Sequence, residues 1–310
     1  MAIPLSSLMT AGRQSLNPDQ IRASLLLPPA ASQAPATPEQ SANPITQAYQ
    51  NRYLNDYEQL KAEYQAHEES KGGKIINTDV AREMSPEYRA DRTKSADVHE
   101  PASAFMKRYY AEKLSQPTPR DKDNTVVFSA GGTGAGKTTA LDMLEAHDPA
   151  LARAEMIYDT NMNKFETADQ KIKQALDAKR KVRIIYTYRD PAEALEHGAL
   201  ARADRMEKSK GSGRTVPIEE HLKTHIGARK VIDELQKKYK NNPKVDIQVV
   251  DNSLGRGNAR ASQLDKLPKL NENEVKRRLH ETLERVRATG IGGTKRISDA
   301  IYHGTRGNTR

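Results

Sequence analysis

The stretch that decides the fold is SAGGTGAGKTTA, Ser129 to Ala140. Within it, Gly131 through Thr138 fits G-x-x-x-x-G-K-[ST], the phosphate-binding P-loop pattern. An apolar run, TVVFS (Thr125–Ser129), leads in as a predicted strand, and a helical stretch leads out from Lys137. The chemistry needs these residue types. Glycines let successive backbone N–H groups turn onto phosphate oxygens with no Cβ in the way. The helix starting near Gly136–Lys137 aims its positive end at the same phosphates. Lys137 adds a charge between the β- and γ-phosphates, and the Thr138 hydroxyl suits Mg²⁺, which prefers oxygen ligands and keeps phosphates beside it. The expected nucleotide-binding residues are Gly131, Gly132, Thr133, Gly134, Ala135, Gly136, Lys137, Thr138 and Thr139. The expected cofactors are ATP, preferred to GTP, and Mg²⁺.

Working outward from the P-loop, strands and helices alternate. Strand candidates are Thr125–Ser129, Glu155–Tyr158, Val182–Tyr188 and Val245–Val250. Helix candidates are Lys137–Ala146, Thr167–Lys179, Ala192–Ser209, Ile218–Tyr239 and Glu272–Ala288. Short β-rich runs separated by helices predict an α/β fold of the P-loop NTPase or kinase type, with a mostly parallel sheet and helices on both faces. Extra helices are expected at both ends. Tyr49, Tyr53, Tyr57, Leu60 and Tyr64 recur at helical spacing, so one helix over Ile45–Glu69 should pack a tyrosine stripe on the body of the protein. Gly72-Gly73 ends it, the apolar run Lys74–Ile76 follows, and a second helix is expected over Pro101–Leu114.

A P-loop alone does not separate kinase, ATPase and GTPase. A GTPase would carry an N-K-x-D-like loop after a late strand, and the late strand here ends VVDNSLGRG. Motor ATPases carry a strand ending in adjacent acids, and VRIIYTYRD ends in Arg189-Asp190. A small-molecule kinase remains, built from a P-loop, an acid near the acceptor hydroxyl and an arginine-rich lid. Two acids have suitable surroundings. Asp159 directly follows the strand EMIY, and ligands of open α/β sheets sit outside the carboxyl ends of strands. Asp79, in IINTDVAREMSPEY, precedes the P-loop. Either could instead be a helix N-cap. The basic run Arg202, Arg205, Lys208, Lys210 and Arg214 surrounds a Gly-Ser-Gly loop. It reads equally as a solvated face or as a lid whose guanidinium groups clamp the transferring phosphoryl group.

Together these pieces resemble the zeta-toxin family of P-loop kinases, over roughly Lys74 to Asn252. Three blocks carry the resemblance: IINTDVAREMSPEY…HEPASAFMKRYYAEKL, the P-loop itself, and MIYDTNMNK…VRIIYTYRDPAEAL…RADRMEKSKGSGRTVPIEEH. The block order departs from the family, in which the Asp-bearing block follows the P-loop. Here Asp79 lies 58 residues before Lys137, as in a permuted arrangement of the same elements. The family's Glu-Gly-Thr is here Asp159-Thr160-Asn161, a shorter acid with a bulkier neighbour. The resemblance implies the following roles. Asp79 is the base that orients and deprotonates the acceptor. Lys137 and Thr138 hold phosphates and Mg²⁺, and Asp159 lies beside the acceptor or the metal. Arg214 is one lid arginine, and Arg202 or Arg205 is the other, with Arg205 slightly favoured. Asp159, Thr160, Asn161 and Arg202 line the acceptor side. Family members phosphorylate a sugar hydroxyl of UDP-N-acetylglucosamine, and a bacterial effector of this fold phosphorylates NAD. The implied partner is therefore a nucleotide-like acceptor, and the implied role that of a toxin or effector, with an antitoxin or chaperone protein open as a further partner.

Composition bounds the rest. The chain has 310 residues, no Cys, 36% apolar and 29% charged residues, and a formal charge of +9. Zero Cys excludes disulfides, Cys-ligated metals and thiol catalysis. No apolar run approaches a membrane span, and the first residues lack a secretory n- and h-region. A cytoplasmic protein is expected, with export into a target cell without a cleavable signal left open. Residues 1–48 hold seven of the 16 prolines and are expected to be a disordered arm, with a short helix around Asp19–Leu27. Residues 49–290 are expected to be one kinase-like domain, and 291–310 a basic tail. From Asn271 to Arg310, nine Lys/Arg face five Asp/Glu. This surplus leaves a nucleic-acid-associated ATPase or polynucleotide kinase as the alternative reading. Aromatics do not interleave with the basic residues as a stacking surface needs, so nucleic acid is not the expected partner.

Overall fold

The computed structural model describes residues 42–255 and 257–307, all within one compact unit, Glu39–Arg310. The short helix expected around Asp19–Leu27, and the arm up to residue 41, lie outside the described residues. Six strands form one sheet: β1 (Ile75–Asn77), β2 (Asp123–Ala130), β3 (Ala154–Asp159), β4 (Lys181–Tyr188), β5 (Val245–Asp251) and β6 (Arg260–Ser262). Their order is β1-β3-β2-β4-β5-β6. The first five are parallel, and β6 closes one edge antiparallel to β5. The α/β fold with a mostly parallel sheet is as expected.

The helices are α1 (Pro44–Asn55), α2 (Tyr57–Ala66), α3 (Thr78–Arg82), α4 (Pro86–Ala90), α5 (His99–Ser115), α6 (Lys137–His147), α7 (Pro149–Ala152), α8 (Phe165–Asp177), α9 (Pro191–Glu193), α10 (Ala201–Lys210), α11 (Ile218–Tyr239), α12 (Glu272–Thr289) and α13 (Asp299–Arg306). Two helix expectations need correction. The helix predicted over Ile45–Glu69 is two helices broken at Asp56 (φ −121°, ψ 35°), where Asn55-Asp56 joins two poor helix formers. The helix predicted over Ala192–Ser209 carries a π-helical segment, Ala194–Leu200, between α9 and α10.

Side chains alternate between the two faces of the sheet, as strand geometry requires. Val126, Phe128 and Ala130 of β2 face a large core beneath α1, α2, α5, α8 and α11, whereas Val127 faces a smaller one beneath α6 and α7. The tyrosine stripe is buried in the larger core, with Leu60 and Tyr64 fully inaccessible. Tyr64 meets Phe105 and Tyr109 edge-on, each at 5.6 Å, a favoured aromatic geometry. The Tyr64 hydroxyl also donates to Ile75 O at 2.7 Å and accepts from Asn77 N at 2.9 Å. The N-terminal helices thus fix the backbone of edge strand β1.

A third core joins the π segment, α10 and α11 to α12 and α13, with Leu279, Leu283 and Val286 fully buried. Within residues 291–307, expected as a tail, α13 buries Ile301 and Tyr302 in this core. Basic residues of this region pair with acids of the chain: Arg278 with Asp190, Arg285 with Glu196, Lys295 with Asp204, and Arg287 with Asp299. Much of the C-terminal surplus is therefore neutralised within the fold. No helix among the described residues is long and apolar enough to cross a membrane.

Candidate nucleotide and acceptor site

Strand β2 lies between β3 and β4, so the P-loop opens at the centre of the sheet's carboxyl edge, where open α/β sheets bind ligands. Gly131, Gly134 and Gly136 have φ of 138°, 73° and 87°, which L side chains rarely adopt. The loop is also gripped by backbone on several sides. A Cβ on Gly134 would lie 2.2 Å from Ala194 O, and one on Gly198 would lie 2.3 Å from Gly134 O. The π segment therefore packs directly on the loop, and π segments recur at functional sites.

Helix α11 holds the other flank. Thr133 N donates to Thr224 Oγ1 at 3.1 Å, and His225 Nε2 lies 3.0 Å from Thr133 O. Burial pushes His225 well below the ordinary histidine range, and its neighbour His221 down to about 4. A neutral His225 donating from Nε2 to the carbonyl fits this geometry. From the end of β5, Asn252 Nδ2 donates to Ala135 O at 2.8 Å. Sequence reasoning missed Gly198, Thr224, His225 and Asn252. The available signals were a glycine inside a helical run, and a His-x-x-x-His pair that puts both rings on one helix face.

Lys137 starts α6. Its Nζ donates to Asn161 Oδ1 at 2.7 Å, Gly131 O at 3.2 Å and Gly132 O at 3.3 Å. Burial, then Arg202 and Arg214, push its pKa down, opposed by Asp159 and Asp79. Thr138 is exposed in the first turn of α6, with Thr139 beside it.

The pairing register carries the acids to the same edge. Asn77 pairs with Asp159 across β1 and β3. Asn77 Nδ2 donates to Asp159 Oδ2 at 2.7 Å, and Ser129 Oγ donates to Asp159 Oδ1. Asn77 Oδ1 caps α3 by accepting from Asp79 N at 2.6 Å. Asp79 and Asp159 are thus not helix caps. Asn77 performs that task and links both acids. The Asp79 carboxylate meets Arg82 at 3.1 Å and pairs closely with Arg214. Burial would raise its pKa, but Arg214, Arg82 and Arg202 outweigh that and hold it far below the usual carboxylate range. Arg202 Nε and Nη2 are buried with no hydrogen-bond partner among the described residues. Arg214 beside it, and then burial, lower Arg202 to about 10. The site therefore brings together Asp79, Lys137, Asp159, Arg202 and Arg214. Arg205 lies outside it, exposed on α10.

Mg²⁺ binds through one or two protein oxygens plus phosphates. Thr138 Oγ1 and the Asp159 carboxylate are the oxygens offered here, so the residues fit such an ion. A separate cavity of about 1,290 Å³ lies between the end of α6, α11 and the β5–β6 edge.

Residues 147–258 match the family model described as zeta toxin. A search of curated proteins returns no match. The matched segment is about a third of the chain and begins after the P-loop. Asp79 and Lys137 both precede it, yet β1 and β2 add to the sheet on which β3, β4 and β5 of that segment lie. The chain thus has a P-loop kinase-like α/β fold, and its residues 147–258 carry the likeness to the zeta-toxin family.

Proposed function

We propose that the protein is an ATP- and Mg²⁺-dependent kinase that phosphorylates a hydroxyl of a nucleotide-derived small metabolite and acts as a toxin or effector. The observation that supports this reading best is the meeting of Asp79 with Arg214 and Arg202 beside the P-loop lysine. A carboxylate among guanidinium groups, at the mouth of a phosphate cradle, is suited to hold an acceptor hydroxyl against a γ-phosphate.

The residues divide the work as follows. The P-loop N–H groups, Lys137 and the start of α6 bind the β- and γ-phosphates. Bound Mg²⁺, held by Thr138 and Asp159, would neutralise charge on the phosphates. Arg202 and Arg214 face the charge that builds on the transferring group. Asp79 accepts a hydrogen bond from the acceptor hydroxyl and takes its proton as the new O–P bond forms. The bond from the γ-phosphorus to the bridging oxygen breaks, and ADP leaves with that electron pair. Phosphoryl transfer has a loose transition state, so orienting the acceptor matters more than a strong base. The three arginines keep Asp79 ionised. As Arg214 and Arg202 engage phosphate, its basicity rises in place.

Incubation with ATP, Mg²⁺ and either UDP-N-acetylglucosamine or NAD, read by mass spectrometry, tests the reading. A product heavier by one phosphoryl group (about 80 Da) is expected. Intact ATP binding with no phosphorylated nucleotide metabolite would sink it.

A further inference from the structure

Beside the Asp159–Asn161 turn lies a cavity of about 70 Å³, lined by Thr160, Met162, Asn163, Lys164, Thr167 and Lys171. Lys171 stands on α8. Long side chains of a helix lean toward its N-terminus, so this ammonium reaches back toward the loop. Its Nζ sits 3.9 Å from the centre of the Tyr158 ring. No ion pair joins Lys171 to a carboxylate among the described residues. The charged group that acts on it is another cation, Lys107 of α5. Burial first, and Lys107 second, lower its pKa to about 7. The first turn of α8 has no side-chain cap, so its free N–H groups add positive potential at the same place. A half-buried ammonium without a carboxylate partner is costly, and the neighbouring lysine and the uncapped start of α8 add positive potential that favours an anion.

We propose that this cavity, with Lys171 as its charged group, is an anion subsite that seats a phosphate of the nucleotide-derived acceptor. The inference rests on the kinase reading for the acceptor's identity, but not for the existence of the site. The Tyr158 ring lies under the Lys171 ammonium, Lys164 adds charge to the lining, and Lys107 adds positive potential from α5. Thr160 and Asn163 offer hydrogen bonds to phosphate oxygens. The site lies next to Asp159, so an anion there would place the rest of the acceptor toward Asp79.

The test follows the Lys171 side-chain titration by NMR, in full-length protein whose P-loop is saturated with ADP. Three probes are added separately: UDP-N-acetylglucosamine, NAD and inorganic phosphate. A bound anion favours the charged lysine, so the titration midpoint should move up from about 7 by roughly one unit or more. UDP-N-acetylglucosamine or NAD should do this at lower concentration than inorganic phosphate. A shift with inorganic phosphate alone would overturn the acceptor assignment, and no shift with any probe would overturn the site. No turnover is needed, so the result stands whether or not the kinase reading holds.

Where turnover is found, Lys171→Met should raise the acceptor KM at least tenfold with the ATP KM unchanged, and Lys171→Arg should restore it. In the wild type the acceptor KM should climb above pH 7, by up to about tenfold per pH unit, as Lys171 loses its proton. In Lys171→Met that climb should be absent. A fall in kcat with no change in acceptor KM would contradict the proposal.

Discussion

At the residue scale, the site turns on which charges face one another. Arg202 and Arg205 are three apart on α10 and look equivalent in sequence, yet only Arg202 points inward. Arg202→Met should cut turnover by about 10²–10³, the usual loss for one transition-state donor. Arg205→Met should stay within a few-fold, and steady-state kinetics on the two variants would show it. The slight sequence preference for Arg205 could not anticipate its exposure, because the π segment shifts the rotational phase of every residue after it. The His221–His225 pair gives a second prediction. The fold refuses protons that the unfolded chain accepts below about pH 6.5. Stability contributed by neutral His221 is therefore complete above that pH and declines as pH falls toward about 4. His225 adds to the decline in the same direction. The thermal midpoint should drop across this window, and less steeply in a His225→Gln variant. These two histidines were not legible as site residues, because His225 reaches the P-loop through the Thr133 carbonyl and His221 bonds Pro191 O, pairings that only the folded chain makes.

At the element scale, the P-loop is held as much by its neighbours as by its own glycines. Gly198 shows the conflict between local and tertiary preference. Ala would gain about 1 kcal/mol of helix propensity at an ordinary helix position. Here a Cβ would lie 2.3 Å from Gly134 O, and the P-loop would have to move. Gly198→Ala should weaken ADP binding by tenfold or more in calorimetry, even if the helix itself is retained. The strands at the sheet's centre were legible to within two residues at either end, since buried parallel strands are near-continuous apolar runs. Three-residue β6 and five-residue α3 were not, because elements so short are fixed by partners and caps rather than by periodicity. The break at Asp56 was hidden for a related reason. The tyrosine stripe keeps helical spacing straight through it, so periodicity alone reads one helix.

At the scale of the whole molecule, the order of elements along the chain matters less than their place in the sheet. β1 precedes the P-loop in sequence and lies beyond β3 in space, in register so that Asn77 touches Asp159 and caps the turn bearing Asp79. The P-loop and the sheet were legible because their signals are local. The meeting of Asp79 with the arginines was not, since it depends on pairing across 135 residues of chain. The helix over Glu272–Ala288 was legible from its pattern, but α13 and the packing of both C-terminal helices on α10 and α11 were not, because composition registers only a charge surplus. Asp79, an acid supplied ahead of the P-loop, carries the proposed mechanism by orienting the acceptor. Its most direct test is turnover and ATP affinity of Asp79→Asn and Asp159→Asn, measured side by side with an accepted metabolite. Asp79→Asn should lose about 10²–10⁴ in kcat while ATP affinity holds or rises, because Arg214 is released toward phosphate. Full turnover in Asp79→Asn, with the loss appearing only in Asp159→Asn, would contradict it.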